Sequence, residues 1–356
     1  MNTPLGASTA VHDQSDLIVD LTAGSLDSPR TLTPVRPRSD KIYRAVTVGA
    51  AMTSLVVMGL IAVFLVIQSI PAFRSTGLKF FTTNDWRPDD DPAVFGIASM
   101  LYGTFVIALI ALFIAVPVSV GTAVFVNEYL PRRLKRAFVT VLDLLAAVPS
   151  LIFGLWGLFF LQPKLNGISR WLSDWLGFIP IFKANGIYTS SMFISGVVLA
   201  LMIVPIISSV SRAVVAEVPR ALCEAALALG GTRWGMIRQV LLPYSRGGLV
   251  GASMLGLGRA LGETIAIALI LSFDFTRSLH ILQPGGASVA GTIALRFPEA
   301  LDLGRSALSA AGLTLFAVTL LVNMAARSVV ARTNRRRGGG AEATGARSLR
   351  IAKKIS

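Results

Sequence analysis

Two charged residues stand four positions apart in an otherwise apolar stretch. Arg259 and Glu263 occur in GRALGETIAIALILS, about midway along the apolar run 247–272. If that run is one helix, both side chains share a face, so the spacing predicts an Arg259–Glu263 pair. A guanidinium offers a planar fork of donors that matches an oxyanion. Because two apolar residues would cost less inside a membrane, we interpret the pair as a functional site for an anion.

Glycines surround this pair at Gly256, Gly258 and Gly262. Gly258 and Gly262 have the spacing of a GxxxG step, which allows two helices to approach closely. We therefore expect a helix of this chain or of a second membrane subunit to pack beside the charged pair.

The composition is that of a membrane protein. The 356 residues are 53% hydrophobic and 15% charged, with a mean hydropathy of +0.68. Apolar runs of 18 or more residues recur, and about 20 helical residues cross a bilayer core. The sequence therefore predicts an all-α, polytopic membrane protein. The net charge of +14 falls mostly in alternate loops and the tails, as membrane topology requires. No platform of aromatic and basic residues indicates nucleic-acid binding.

The apolar runs predict six transmembrane helices, at about 45–70, 99–125, 138–161, 191–210, 247–272 and 305–326. The positively charged loops alternate with the others, so both termini are expected in the cytoplasm. We expect a disordered tail at 1–40, a first transmembrane helix at 41–72, an outside loop at 73–98 and a basic cytoplasmic tail at 327–356.

Several single residues have more than one interpretation. Asp143, in the third predicted span, is interpreted as an acid at the cytoplasmic helix end, with a functional role as the alternative. Trp171 and Trp175 predict a short helix on the membrane surface.

Features of enzymes and metal sites are missing from the sequence. Cys223 is interpreted as a small packing residue. His12 and His280 lack ligand spacing, so we expect no metal, and we expect no cofactor. The sequence contains no Walker A loop, G-x-S-x-G or His/Cys cluster. The chain is therefore not expected to be an enzyme, and any ATP hydrolysis must belong to a partner.

The loop 219–243 is predicted to form two short helices around a turn. Pro219 can begin the first helix, and Gly230 with Gly231 can end it. Thr232 is a good N-cap for the second helix, which Pro243 is expected to end.

This loop resembles the EAA loop of permeases in bacterial ABC importers. That pattern is EAA, three residues, Gly, nine residues, then Ile-x-Leu-Pro. The matching positions are Glu224, Ala225, Ala226, Gly230, Val240 (in place of Ile), Leu242 and Pro243. The resemblance implies coupling helices that dock into an ATPase subunit, with Glu224 and Gly230 anchoring the dock and the turn. It also implies a five-helix type I importer permease (MetI-like) core over about 95–326, to which the first span is an addition.

A second resemblance narrows the family. GRALGETIA, the outside loop FFTTNDWRPDDDPAVFGI and DLLAAVPSLIFGLWG are similar to the phosphate-specific importer permeases of the Pst type, and to the PstC-type subunit more than the PstA type. This implies import of inorganic phosphate across the bacterial cell membrane. Arg259 would contact the anion transiently, and Glu263 would orient Arg259 or act as its counter-ion. The implied partners are a PstA-type sister permease, a dimer of a PstB-type ATPase, a PstS-type extracytoplasmic binding protein and membrane lipid.

Three other functions stay open. A permease of the same fold could carry another oxyanion, such as sulfate or molybdate. A secondary transporter driven by H⁺ or Na⁺ could use Asp143 and Glu263 as proton sites, although no inverted repeat is evident. A scaffold that senses phosphate flux could bind a regulator through its basic C-terminal tail, although such a tail is more often explained by topology and anionic lipid.

Overall fold

A computed structural model describes residues 38–275 and 279–355, with side chains for 40–275 and 279–328. The predicted tail 1–40 therefore lies outside the described residues except at its last three positions. The chain divides into two units, Met1–Gly59 and Leu60–Ser356. The described part of the first unit is the beginning of a long helix, and the second unit contains all the elements that follow.

The described elements are helical apart from one short hairpin. The first half comprises α1 (Arg38–Thr76), a 3₁₀ turn (Gly77–Phe81), antiparallel β1 (Trp86–Arg87) and β2 (Val94–Phe95), α2 (Ala98–Glu128), α3 (Arg132–Ala147), α4 (Ser150–Trp156), a π turn (Gly157–Leu161) and α5 (Gln162–Leu176). The second half comprises a 3₁₀ turn (Pro180–Phe182), α6 (Met192–Ala216), α7 (Arg220–Ala228), α8 (Arg233–Met236), a π turn (Ile237–Leu241), α9 (Leu242–Gly262), α10 (Ile265–Ile270), α11 (Val289–Arg296) and α12 (Asp302–Ile355).

Within the described ranges, five helical stretches are long and apolar enough to cross a membrane. They are Asp40–Phe81, Ala98–Glu128, Ser150–Leu176, Met192–Ala216 and Asp302–Ser328. The prediction of a polytopic α-helical membrane protein is confirmed. The fifth predicted span, at 247–272, is helical but interrupted, since it is divided between α9 and α10.

The bounds predicted for the third span, 138–161, are wrong. The membrane-length helix lies later in the chain, at Ser150–Leu176. The chain leaves the helical conformation at Val148 (φ −65°, ψ 129°), because the residue before a proline avoids the α region. Asp143 thus lies exposed on α3, ahead of the membrane-length helix. Trp171 and Trp175 lie near the end of that helix, which continues to Leu176, rather than on a separate surface helix.

The core of the second unit is built on a parallel pair, α2 and α6. The Ser119 hydroxyl donates to the Val204 carbonyl and the Asn127 amide donates to the Arg212 carbonyl, both across 85 positions. The constant offset shows that the two helices run in the same direction. Buried Ile107, Ile203 and other apolar residues fill the space around them.

Two prolines near the beginning of helices are accommodated by wide turns rather than by helix ends. Pro163 and Pro243 each follow a π turn, in which an amide bonds five residues back: Gln162 to Gly157 and Leu242 to Ile237. A proline ring collides with the carbonyl four residues earlier in a regular α-helix. The wider turn removes that collision. The prediction that Pro243 ends the second loop helix was therefore wrong, because helix continues from Arg233 to Gly262.

The N-terminal end of α12 is joined to two distant segments. The Ser306 hydroxyl donates to the Gln68 carbonyl at 2.8 Å and accepts from the Ala72 amide at 3.0 Å. The hydroxyl thus lies between the Gln68 carbonyl and the Ala72 amide of α1, which would bond directly to each other in a regular helix. The Asp89 carboxylate accepts from the Gly304 amide at 2.9 Å and from the Leu301 amide at 3.3 Å.

We predict that Asp89→Ala destabilises the N-terminal end of α12. Asp89 satisfies two amides at the helix start, and loss of a carboxylate cap costs about 1 kcal/mol. Thermal unfolding of the purified chain in detergent measures the change. Asp90→Ala is the matched control, since the neighbouring carboxylate has no hydrogen bond among the described residues. Equal melting curves for both variants would contradict the capping role.

Candidate functional site

The first candidate site is the predicted coupling loop, and its turn has the expected form. Helix α7 begins after Pro219 and ends at Ala228. Gly230 has φ +83°, a left-handed conformation that glycine adopts readily and other residues adopt at a cost. Its amide donates to the Leu227 carbonyl at 3.0 Å, and the Gly231 amide donates to the Ala226 carbonyl at 3.2 Å.

The second half of the loop is also capped as predicted. The Thr232 hydroxyl accepts from the Gly235 amide at 3.1 Å. Below this turn, Met236, Ile237 and Leu241 are buried in a cluster with residues of α2 and α6. The loop therefore rests on the membrane helices through one apolar face and leaves its other face open.

The residues of the EAA pattern divide between these two faces. Glu224, Ala225 and Gly230 are exposed, and Ala226 is half-buried. Val240, Leu242 and Pro243 are half-buried, where the helix enters the bundle. The first group is thus available to a partner, while the second group positions the loop.

Sequence reasoning missed two exposed apolar side chains beside the turn. Leu229 is 90% exposed and Trp234 is 63% exposed. Leu229 directly precedes the glycine turn, and Trp234 follows it three residues later. A signal was present in the sequence, since large apolar residues next to a Gly-Gly turn in a polar loop have no obvious core to enter.

Cys223 has the packing role that its sequence context suggested. Burial raises the pKa of its thiol above the ordinary value, and the nearby Glu128 carboxylate raises it further, with Arg220 opposing. The thiol therefore stays protonated at neutral pH, and a protonated thiol is a poor nucleophile.

The second candidate site is the interruption between α9 and α10. Arg259 lies exposed in the last turn of α9. Glu263 follows the end of that helix and has an extended backbone, with φ −68° and ψ 128°. The predicted pairing of Arg259 and Glu263 on one helix face is therefore wrong. In the part of the chain that the structure describes, Arg259 forms no ion pair.

The glycines near Arg259 differ in their surroundings. A Cβ on Gly256 would meet Ile207 of α6, so this chain's own helix packs there. A Cβ on Gly258 or Gly262 would meet nothing within 4 Å among the described residues. The helix that the GxxxG spacing predicts is thus not supplied by the described part of this chain.

Comparison with known families identifies the class of protein. Residues 115–337 match the family described as binding-protein-dependent transport system inner membrane component. The matched region contains both candidate sites. The chain belongs to this family of importer permeases, and it is a multi-pass membrane component.

Individual relatives extend the match over most of the chain. The phosphate transport system permease protein PstC 2 of Mycobacterium tuberculosis is 43% identical over 299 residues, covering 82% of this chain and 92% of the relative. The phosphate transport system permease protein PstC of Xylella fastidiosa strain 9a5c is 39% identical over 308 residues, covering 85% and 93%.

Solved structures support the fold. A crystal structure of a bacterial ABC transporter involved in the import of the acidic polysaccharide alginate matches with a TM-score of 0.54 and 17% identity. The match covers 82% of this chain and 97% of that one. At this identity the comparison concerns the permease fold alone.

Proposed function

We propose that this chain is the transmembrane permease subunit of an ATP-driven importer of inorganic phosphate in the bacterial cell membrane. The observation that carries the proposal is identity of about 40% to proteins named phosphate transport permeases over most of both chains. The chain supplies the membrane pathway, and ATP hydrolysis takes place in a separate subunit.

The coupling loop supports ATP-driven transport. Its exposed face combines Glu224, Leu229 and Trp234 around a rigid turn, which suits a groove on a partner. Aromatic and aliphatic side chains at the centre of an interface provide much of its binding energy. The partner is a PstB-type ATPase dimer. Because helix runs from Arg233 to Gly262 without a break, movement of the loop reaches Arg259.

The other proposed subunits are those implied by the similarity to phosphate transport permeases. The open glycine face of α9 at Gly258 and Gly262 is where a PstA-type sister permease packs. A PstS-type binding protein delivers phosphate from outside. The alternation of basic loops supports a cytoplasmic location for both termini. The permease core comprises about 95–326, and 41–72 is an additional membrane helix.

Arg259 is the residue that contacts the anion in transit. It is an exposed guanidinium inside a membrane segment, where an unpaired charge is costly and indicates function. Its planar fork matches a phosphate oxygen pair. With no acidic partner among the described side chains, its donors are free to meet an anion.

We predict that Arg259→Leu lowers phosphate uptake by about ten- to a hundredfold at low external phosphate. Hydrogen bonds to charged groups contribute about 1.5–3 kcal/mol, and each 1.4 kcal/mol is a factor of ten. Uptake of radiolabelled phosphate is measured in cells lacking the gene and restored with each variant, at matched membrane levels.

Arg259→Lys is the matched control for this experiment. It keeps the positive charge and loses the planar fork, so an intermediate rate is expected. If Arg259→Leu and the intact chain restore uptake equally, the role of Arg259 is refuted while import stands. If the intact chain does not restore phosphate uptake when its companion subunits are present, sulfate or molybdate is the substrate to test next.

We predict that Gly230→Pro leaves the chain in the membrane but abolishes co-purification of the ATPase. Proline holds φ near −65°, which is incompatible with the +83° at this turn. Gly230→Asn is the control, because asparagine tolerates the left-handed conformation. Affinity purification followed by immunoblotting measures the bound ATPase. An intact complex with Gly230→Pro would rule out the docking role of the loop.

A further inference from the structure

The interruption of the fifth membrane segment is held by specific contacts. Helix α9 ends at Gly262, and α10 begins at Ile265. Helix α10 packs against α4, since a Cβ on Gly154 would lie 2.9 Å from the Cα of Ala266. Its residues Ile267 and Ile270 are buried. These contacts fix the position of α10 against α4, and so they fix the position of the interruption that precedes it.

Glu263 lies buried at this interruption. The residue is 8% exposed, and its Oε1 accepts a hydrogen bond from the Ala266 amide at 3.3 Å. Thr264 is the N-cap of α10 and makes no side-chain capping bond, so the side-chain acceptor for the first turn comes from the extended residue before it. A side-chain bond to the amide three residues later is the pattern of a capping residue. Glu263 thus caps α10.

The hydrogen bond from the Ala266 amide to Glu263 satisfies a backbone amide that a bilayer would otherwise leave without a partner. An interrupted helix leaves amides at the beginning of the next piece without partners, and water is not available to satisfy them in a bilayer. Among the described residues, Glu263 supplies the side-chain acceptor for the Ala266 amide. Without it, the interruption would close into continuous helix or move along the chain, and Arg259 would turn relative to α10.

We propose that Glu263 is a positioning residue, which caps α10 and so sets the place where the fifth segment is interrupted beside Arg259. Its oxygen acceptor matters, and its charge is dispensable. The inference rests on the proposed function, because it assigns how Arg259 is presented to the anion. It also replaces the role of Glu263 as the counter-ion of Arg259.

Three substitutions of Glu263 distinguish a role as a hydrogen-bond acceptor at the start of α10 from a role that needs the negative charge. Glu263→Gln keeps the side-chain oxygen and removes the charge. Glu263→Ser places a neutral hydroxyl, which can accept from the amide three residues later, at the same position. Glu263→Leu is similar in size and has no acceptor. Uptake of radiolabelled phosphate is measured with each variant in cells lacking the gene, at matched membrane levels.

We expect the Gln and Ser variants to keep uptake within about twofold of the intact chain, and the Leu variant to lose about tenfold or more. Loss with Gln or Ser at normal membrane levels would overturn the proposal, because the charge would then be required. Retention in all three would also overturn it. If the Leu variant does not reach the membrane, the Gln and Ser results still decide.

Hydrogen–deuterium exchange gives a readout that does not depend on phosphate. The full-length chain is purified with its accompanying subunits, and exchange is followed in peptides covering 263–271. We expect faster exchange in the Leu variant and near-normal exchange in the Gln and Ser variants. Equal exchange in all variants would refute the cap. If the intact chain does not import phosphate, the proposed function fails, and this comparison alone decides the cap.

Discussion

Every backbone amide and carbonyl that crosses a bilayer needs a partner inside the protein, and this requirement organises the fold. At prolines and at helix ends, backbone amides and carbonyls lose the hydrogen-bond partner that a regular helix provides. Two prolines follow π turns, at 157–161 and 237–241, which shift the bonding by one residue. The Ser306 hydroxyl bridges a carbonyl and an amide of α1 beside Pro71. Asp89 caps α12, and Glu263 caps α10. At each of these places a named group bonds to a polar group of the irregular backbone.

The two candidate sites lie on one continuous element. The run from Arg233 to Gly262 begins at the coupling loop and ends just beyond Arg259. At 1.5 Å per residue, this run is about 45 Å long. A stiff helix of that length transmits displacement better than a chain of loops. The arrangement gives the surface proposed to bind an ATPase a continuous helical connection to Arg259.

The sequence predicted features that depend on neighbouring residues. The turn at Gly230 and the cap at Thr232 are local, and their residue types are diagnostic. Hydropathy located most of the membrane helices. It misplaced the third, because apolar residues of α3 extended the run and the effect of Pro149 on Val148 was overlooked. The interruption at Glu263 was missed because hydropathy carries no information on backbone continuity. The contacts of Asp89 and Ser306 cross more than 200 positions, which a single sequence does not reveal.

The π turn at 237–241 has a consequence for the length of the chain. A π turn contains one residue more than the α-helix it interrupts. One residue corresponds to about 100° of rotation around a helix axis. The wider turn takes up that rotation, so a single-residue deletion there leaves the helix beyond it facing nearly the same way. The deletion instead returns the Pro243 ring to a regular α-helix, where the ring collides with the carbonyl four residues earlier. The extra residue thus admits a proline into the continuous helix that joins the loop to Arg259.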